Sequence, residues 1–209
     1  MTTSTNKKIY ITFILFMIFA FVLTSVAYAD YGRVHIKEGS INGGASNILY
    51  WFDISVATYG YTGSFNNAFD EWEQASSNIG FTEAPSAETS ELKIYVGRGN
   101  LPPGTYGSAD YWEYGFFGGI SQVSSSDVTN GENYDQGRIR IDDETCDNAD
   151  FNYTHTYKLA GHEVGHILGL NHFEDAPSHS GNHWMKSGKI SLTSPTSTDI
   201  DHVTEKWGN

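Results

Sequence analysis

The fold of this chain follows from residues 162–172, which read HEVGHILGLNH. An α-helix has about 3.6 residues per turn, so His162 and His166 lie one above the other on the same face and can bind one ion. Glu163 is next to the first of these histidines. Its carboxylate lies beside the ion rather than on it, where it can accept a proton from a metal-activated water. The stretch therefore predicts a metal site on a helix.

The third ligand comes from the residue that ends this stretch. A catalytic zinc ion commonly has three protein ligands and keeps its fourth position for water or substrate. Gly169 permits the positive φ that would turn the chain back under the metal and bring His172 to it. The alternative interpretation is that these are ordinary polar residues on a helix. That interpretation does not explain why a glycine and a third histidine follow at fixed offsets. Three imidazoles favour zinc, although iron, cobalt or nickel could use the same ligands.

Strands are predicted on both sides of this helix. Residues 48–56, ILYWFDISV, and residues 92–96, LKIYV, are rich in β-branched and aromatic side chains. GRIRI at 137–141 is a further candidate strand, and GGISQV at 118–123 is a short apolar segment within a loop-rich region.

Three helices are predicted from apolar spacing and capping residues. The first follows a capping Ser64 and has an apolar face of Phe65, Ala68, Phe69 and Trp72. The second spans 156–170 and carries the two paired histidines. The third follows Pro195, with Thr196 as its cap and Asp199 three residues later.

Composition limits the classes of partner. The chain has 209 residues, of which 39% are hydrophobic and 18% charged, so we expect one globular domain. Its net charge of -13 makes a nucleic-acid partner or an anionic membrane surface improbable, because both attract clusters of basic residues. The single cysteine, Cys146, cannot form an internal disulfide.

The N-terminus has the pattern of an export signal. Lys7 and Lys8 precede an apolar run at 9–26, and Ala27-Tyr28-Ala29 provides the small residues of a cleavage site. The alternative is a retained membrane anchor, because the run approaches the length of about 20 residues that spans a bilayer. We expect residues 1–29 to be a signal peptide and residues 30–209 to be a single catalytic domain, secreted to the extracellular space.

The stretch at 162–172 resembles the metzincin zinc-peptidase signature HExxHxxGxxH. Metzincins also place a methionine in a turn under the metal, and Met185 is suitably spaced after His172. Among them the chain most resembles the matrixins. The resemblance implies an α+β fold, with a twisted mixed sheet, three main helices and an active-site cleft. It further implies that Asp199 steadies the methionine turn by accepting hydrogen bonds from its backbone.

The chain also departs from these relatives. Ser187 stands where some metzincins have a tyrosine ligand, and Arg140 replaces the histidine of a structural zinc site, so one zinc ion is expected. Calcium could bind near residues 142–144, but a solvated acidic turn is the better interpretation, since calcium needs six or more oxygen ligands. We interpret His155, His179 and His183 as surface or supporting residues. The sequence around His35 and His202 does not suggest a functional role for either. We expect the thiol of Cys146 to be inert.

These observations lead to a functional hypothesis, a secreted zinc endopeptidase in which Glu163 is the general base. The expected partners are protein or peptide substrates. We expect a monomer with no stable membrane association after signal cleavage. Substrate would add to an edge strand placed at residues 120–124, beside a pocket walled by residues 186–195. The alternatives are a secreted, zinc-stabilised binding or adhesion domain with little turnover, and a metal-dependent hydrolase of non-protein substrates.

Overall fold

The structure, a computed structural model, describes residues 34–209 and is built on one six-stranded sheet. The strands are β1 (Ile48–Phe52), β2 (Phe81–Glu83), β3 (Leu92–Gly97), β4 (Gly107–Tyr114), β5 (Ile120–Val123) and β6 (Gln136–Asp142). Their order across the sheet is β2-β1-β3-β6-β4-β5. Strands β2, β1, β3 and β6 run parallel to one another, whereas β4 is antiparallel to both β6 and β5.

Within residues 34–209, three long α-helices, three short ones and one 3-10 turn at Ala87–Thr89 complete the fold. The α-helices are α1 (Ile54–Thr58), α2 (Thr62–Ala75), α3 (Ser125–Thr129), α4 (Asp143–Asn148), α5 (Tyr153–Ile167) and α6 (Ser197–Trp207). The predicted α+β class, with a mixed sheet and three main helices, is confirmed. No helix within residues 34–209 combines the length and the apolar character needed to cross a membrane.

The core lies where α2 and α5 pack together and against the sheet. The predicted apolar face of α2 is buried, and Trp72 in it is fully enclosed. Its indole Nε1 donates to Gly161 O of α5 over 2.9 Å. Gly161 has no side chain at a point where a Cβ would collide with the ring of Trp184. Close packing of these elements therefore fixes the position of α5, the helix that carries the paired histidines.

Several predicted element boundaries are wrong because of local capping. Strand β1 ends at Phe52 rather than at residue 56, because Asp53 Oδ1 accepts from Ser55 N and starts α1. Ser64 does not cap α2, which begins at Thr62; its buried Oγ lies 3.0 Å from Thr156 Oγ1. Helix α5 begins at Tyr153, three residues early, because Asn152 forms a capping box with His155.

The expected solvated acidic turn is also wrong, because its first two carboxylates are buried. Asp142 caps α4, and its oxygens accept from the backbone N–H groups of Gly99, Asn100, Leu101 and Thr145. Asp143 forms an ion pair of 2.7 Å with Arg98. These donors already occupy the carboxylates, which counts against calcium ligation here; calcium binding stays a prediction.

The cysteine lies under this turn and gives a simple prediction. Cys146 is 1% exposed, and burial raises the pKa of its thiol to about 12. Only the thiolate is nucleophilic, so a disulfide reagent such as DTNB should react about 100-fold or more slowly with the folded protein than with the urea-unfolded one. Equal rates in the two states would show that Cys146 is accessible in solution.

The predicted signal segment, residues 1–29, lies outside the described residues.

Candidate metal centre and cleft

Helix α5 and the turn after it bring three histidines together. His162 and His166 are one turn apart on α5, and Gly169 then adopts a φ of 86°, as expected. Side chains rarely adopt this φ, and a Cβ at Gly169 would also displace the end of the Lys206 side chain of α6, so glycine is strongly favoured at this turn. The chain doubles back, and His172 joins the other two histidines, with one ligand atom from each ring within 4.8 Å of the others.

The hydrogen bonds of the rings leave metal-binding lone pairs at the centre of the cluster. His162 Nδ1 lies 2.7 Å from Trp184 O and His166 Nδ1 lies 2.8 Å from Leu170 O. A carbonyl only accepts, so both Nδ1 atoms carry the proton and both Nε2 atoms present a lone pair. The Nε2 atoms of His162 and His172 lie 3.2 and 3.0 Å from that of His166. Three such nitrogens are suitable ligands for a cation such as zinc. The carbonyl groups that hold Nδ1 of His162 and His166 also match the usual surroundings of a metal-bound histidine, whose second ring nitrogen donates to a carbonyl or carboxylate.

Burial keeps these imidazoles neutral. It lowers the pKa of His162 and His166 well below the usual range, and the cationic side chain of Lys158 acts in the same direction on both. The pKa of the more exposed His172 is also lowered by burial, although Glu174 and Asp175 oppose the shift. Neutral imidazole is the form that binds a metal ion.

Glu163 lines the same cleft as the three histidines and is not part of their cluster. It is 3% exposed, and burial raises the pKa of its carboxyl group to about 8, against the opposing charge of Lys158. Strand β4 covers it at Gly107, where a Cβ would lie 2.5 Å from Glu163 Oε1. The absence of a side chain at Gly107 thus makes room for the carboxylate.

This close approach gives a prediction for the strand. A Gly107→Ala substitution should displace the Glu163 carboxylate. If Glu163 is the general base of the peptidase that the sequence predicts, peptide hydrolysis should fall by about 100-fold, because a shift of about 1 Å in such a group has effects of that size. Zinc content should not change, since the three atoms nearest to the new methyl group all belong to Glu163 and not to a histidine. Gly119→Ala is the control, because its Cβ would meet nothing within 4 Å, its φ is not positive and it does not line the cleft. Unchanged hydrolysis in Gly107→Ala would contradict the prediction.

The methionine turn lies under the cluster, and a buried carboxylate holds it. Met185 is fully buried, and its sulfur fills the space beside Gly165 of α5. Asp199, also fully buried, accepts from Met185 N over 3.1 Å and from Trp184 N over 3.0 Å. It accepts as well from Thr196 N and Oγ1, over 2.8 and 2.7 Å, in the predicted capping box of α6. Because Trp184 O bonds to His162, Asp199 indirectly orients one of the three histidines.

A cleft with a volume of about 620 Å³ opens over the histidines. Its rim is the beginning of β4 and the loop before it, residues 104–109, and the opposite wall includes Ser187 and Gly188. The expected edge strand exists, since β5 (Ile120–Val123) lies at one edge of the sheet, but its expected place along the cleft does not agree with the structure. Strand β5 pairs only with Tyr111–Tyr114 of β4 and contributes no residue to the cleft, so the free edge over the cleft is residues 107–110.

The structure also shows buried polar residues around the cleft that sequence reasoning missed. His35, which carried no signal, is fully buried, and its ring nitrogens lie 2.9 Å from His172 O and Pro177 O. Lys37 and Lys158 are each 2% exposed and both line the cleft. A lysine one turn before His162, on the same face of α5, was the one available signal; nothing in the sequence marked His35 or Lys37.

The other polar residues singled out in the sequence have structural partners. His155 caps α5 and lies 2.9 Å from Ser191 Oγ. His183 is buried, with Nδ1 2.7 Å from Thr196 Oγ1, and His179 Nε2 lies 3.4 Å from His202 Nε2. Arg140, at the position of a family zinc ligand, forms an ion pair of 2.8 Å with Asp110.

Comparison with known proteins agrees with this geometry. The model of the matrixin family matches residues 53–205, well over half of the chain. The matched region contains α5, the turn at Gly169, the methionine turn and the start of α6. No curated protein sequence gives a match to the chain.

Proposed function

The chain belongs to the matrixin family, and from this premise we propose that it is an exported, zinc-dependent endopeptidase with Glu163 as its general base. The observation that carries the proposal is the set of three converging Nε2 atoms with a buried, unligated carboxylate beside them. A purely structural zinc site normally has a fourth protein ligand and no use for such a carboxylate. The cleft above the cluster supplies space for a substrate.

The residues of the chain have separate tasks in this reaction. His162, His166 and His172 would hold zinc, which when bound polarises the scissile carbonyl and acidifies a water molecule. Glu163 accepts a proton from that water and returns it to the leaving amine. The free edge of β4 offers N–H and C=O groups to an extended peptide, which would lie across the cleft as an added strand.

Export is the second part of the proposal and rests on the sequence of residues 1–29. Their basic start, apolar run and small residues before the cleavage site are typical of a signal peptide. We infer that the enzyme acts on proteins outside the cell.

The test uses protein produced from the full chain in an exporting host. We expect about one zinc ion per chain and cleavage of casein, an unstructured substrate. A chelator should stop cleavage, and added zinc should restore it. His166→Ala should lose both zinc and activity, because two imidazoles hold the metal weakly. Stoichiometric zinc without cleavage of casein or several other unfolded proteins would overturn the proposal in favour of a zinc-stabilised binding domain. N-terminal sequencing of the exported product tests cleavage after Ala29.

A further inference from the structure

A buried ammonium group forms part of the cleft wall. Lys158 precedes His162 by one turn of α5 and lies on the same face of the helix. Its side chain is among the largest that are fully enclosed, yet it borders the cleft together with Leu159 and the metal-binding histidines. Charged side chains are almost never buried to this degree without a partner of opposite charge.

The described residues give Lys158 no ion-pair partner, although the charges of Glu163, Asp199 and Glu174 act on it from beyond ion-pair distance. The one acceptor recorded for its Nζ is the backbone carbonyl of Lys186, and no carboxylate within residues 34–209 forms an ion pair with it. Glu174 accepts from Ser187 N, and the buried Asp199 accepts from the methionine turn and Thr196. An ammonium group has three N–H donors, so Lys158 retains donors for a group that enters the cleft.

The second buried lysine of the cleft, Lys37, differs from Lys158 in having side-chain hydrogen-bond partners. Lys37 Nζ donates to Ser125 Oγ and Asn171 Oδ1, both over 2.8 Å, and lies over the ring of Tyr111. These partners belong to the protein itself, so Lys37 ties the N-terminal segment to α3 and to the loop after α5. The chain has 12 Lys and Arg residues against 25 Asp and Glu, so a cation kept in the cleft with unused donors is unusual in it.

We propose that Lys158 determines specificity by binding the carboxylate of an acidic substrate side chain next to the cleaved bond. The proposal rests on the proposed peptidase function. Successive side chains of a peptide extended along β4 point to opposite faces, so one of the two residues flanking the bond faces α5 and the wall formed with Ser187 and Gly188. Its carboxylate would accept hydrogen bonds from the Lys158 ammonium group. The preferred substrates are therefore peptides with Asp or Glu at that position.

The test compares matched peptides that differ only in Glu or Gln at each of the two positions flanking the cleaved bond. We expect kcat/KM of the wild-type protein to be about 10- to 100-fold higher for Glu than for Gln at one of them, the range for a charge-assisted hydrogen bond in a buried site. Cleavage of a complex peptide mixture, mapped by mass spectrometry, should show the same enrichment of acidic residues on one side of the cut.

Substitutions of Lys158 test whether this residue causes the preference for Glu. Lys158→Met should lower kcat/KM for the Glu peptide toward that for the Gln peptide, while Lys158→Arg should keep part of the preference. Lys93→Met removes the same charge from β3, away from the cleft, and should leave the preference unchanged. Zinc content and thermal unfolding show whether each variant is folded.

The comparison of Glu and Gln peptides with the wild-type protein tests the proposal even if Lys158→Met does not fold. Cleavage without any Glu preference overturns the role of Lys158 and leaves the peptidase function intact. A Glu preference that persists in folded Lys158→Met places the recognition elsewhere and also overturns it. Failure to cleave any peptide overturns both proposals.

Discussion

We expect Glu163→Gln to lower peptide hydrolysis by about 100- to 10,000-fold, the usual contribution of a general acid–base group, and to leave zinc content near one ion per chain. Glutamine has nearly the same shape as glutamate, so the packing under Gly107 should persist. It cannot accept a proton at neutral pH, and the water would lose its base. The three imidazoles do not depend on this carboxylate for their hydrogen bonds, which is why metal binding should survive.

The measurement is kcat/KM on one peptide together with zinc content on the same sample. Glu83→Gln is a matched control, because Glu83 is an exposed carboxylate on β2, at the opposite edge of the sheet from β4 and β5. Near-normal hydrolysis by Glu163→Gln would contradict the assignment of Glu163 as the general base. Loss of zinc in the same variant would mean that Glu163 supports the metal site, and the kinetic result would need another explanation.

Asp199→Ala should lower the free energy of unfolding by several kcal/mol. Asp199 is fully buried and accepts from the backbone N–H groups of Trp184, Met185 and Thr196. Alanine leaves these donors without an acceptor, and each buried donor in that state costs about 1–3 kcal/mol. Zinc affinity should also fall by about 10- to 100-fold, as is typical when a residue that orients a metal ligand is lost, because Trp184 O holds His162.

Denaturant unfolding with and without zinc, and competition with a metal-binding dye, measure the two effects. Asp201→Ala is the control, since Asp201 is exposed on the same helix and makes no contact with the methionine turn. Asp199→Asn retains one acceptor oxygen and should be intermediate. A stable Asp199→Ala protein with normal zinc affinity would refute the supporting role of this carboxylate.

Local sequence patterns predicted the elements that depend on neighbours along the chain. The spacing of His162 and His166 fixes their common face through helix geometry, and Gly169 has the positive φ that its residue type allows. The capping box of Thr196 and Asp199 is equally local and is confirmed. Prediction failed at Asp53, where a cap ended β1 inside an apolar run, and at Ser64, whose hydroxyl turned to Thr156 on another helix.

The site beyond the histidines depended on contacts between distant parts of the chain. The free edge of β4 over the cleft exists because β5 pairs only with the far half of that strand, and strand pairing of this kind leaves no periodic pattern in the sequence. His35 reaches His172 across 137 positions of sequence, and the burial of Lys158 depends on the segment after Met185.

By itself, the sequence determined the three-histidine cluster and the turn that closes it, because spacing on one helix and a single glycine are enough to specify them. The same stretch also gave the resemblance to the family. Only the tertiary structure decided which strand edge borders the cleft and which charged groups line it. Burial and electrostatic environment are properties of the packed chain, and residues far apart in sequence create them together.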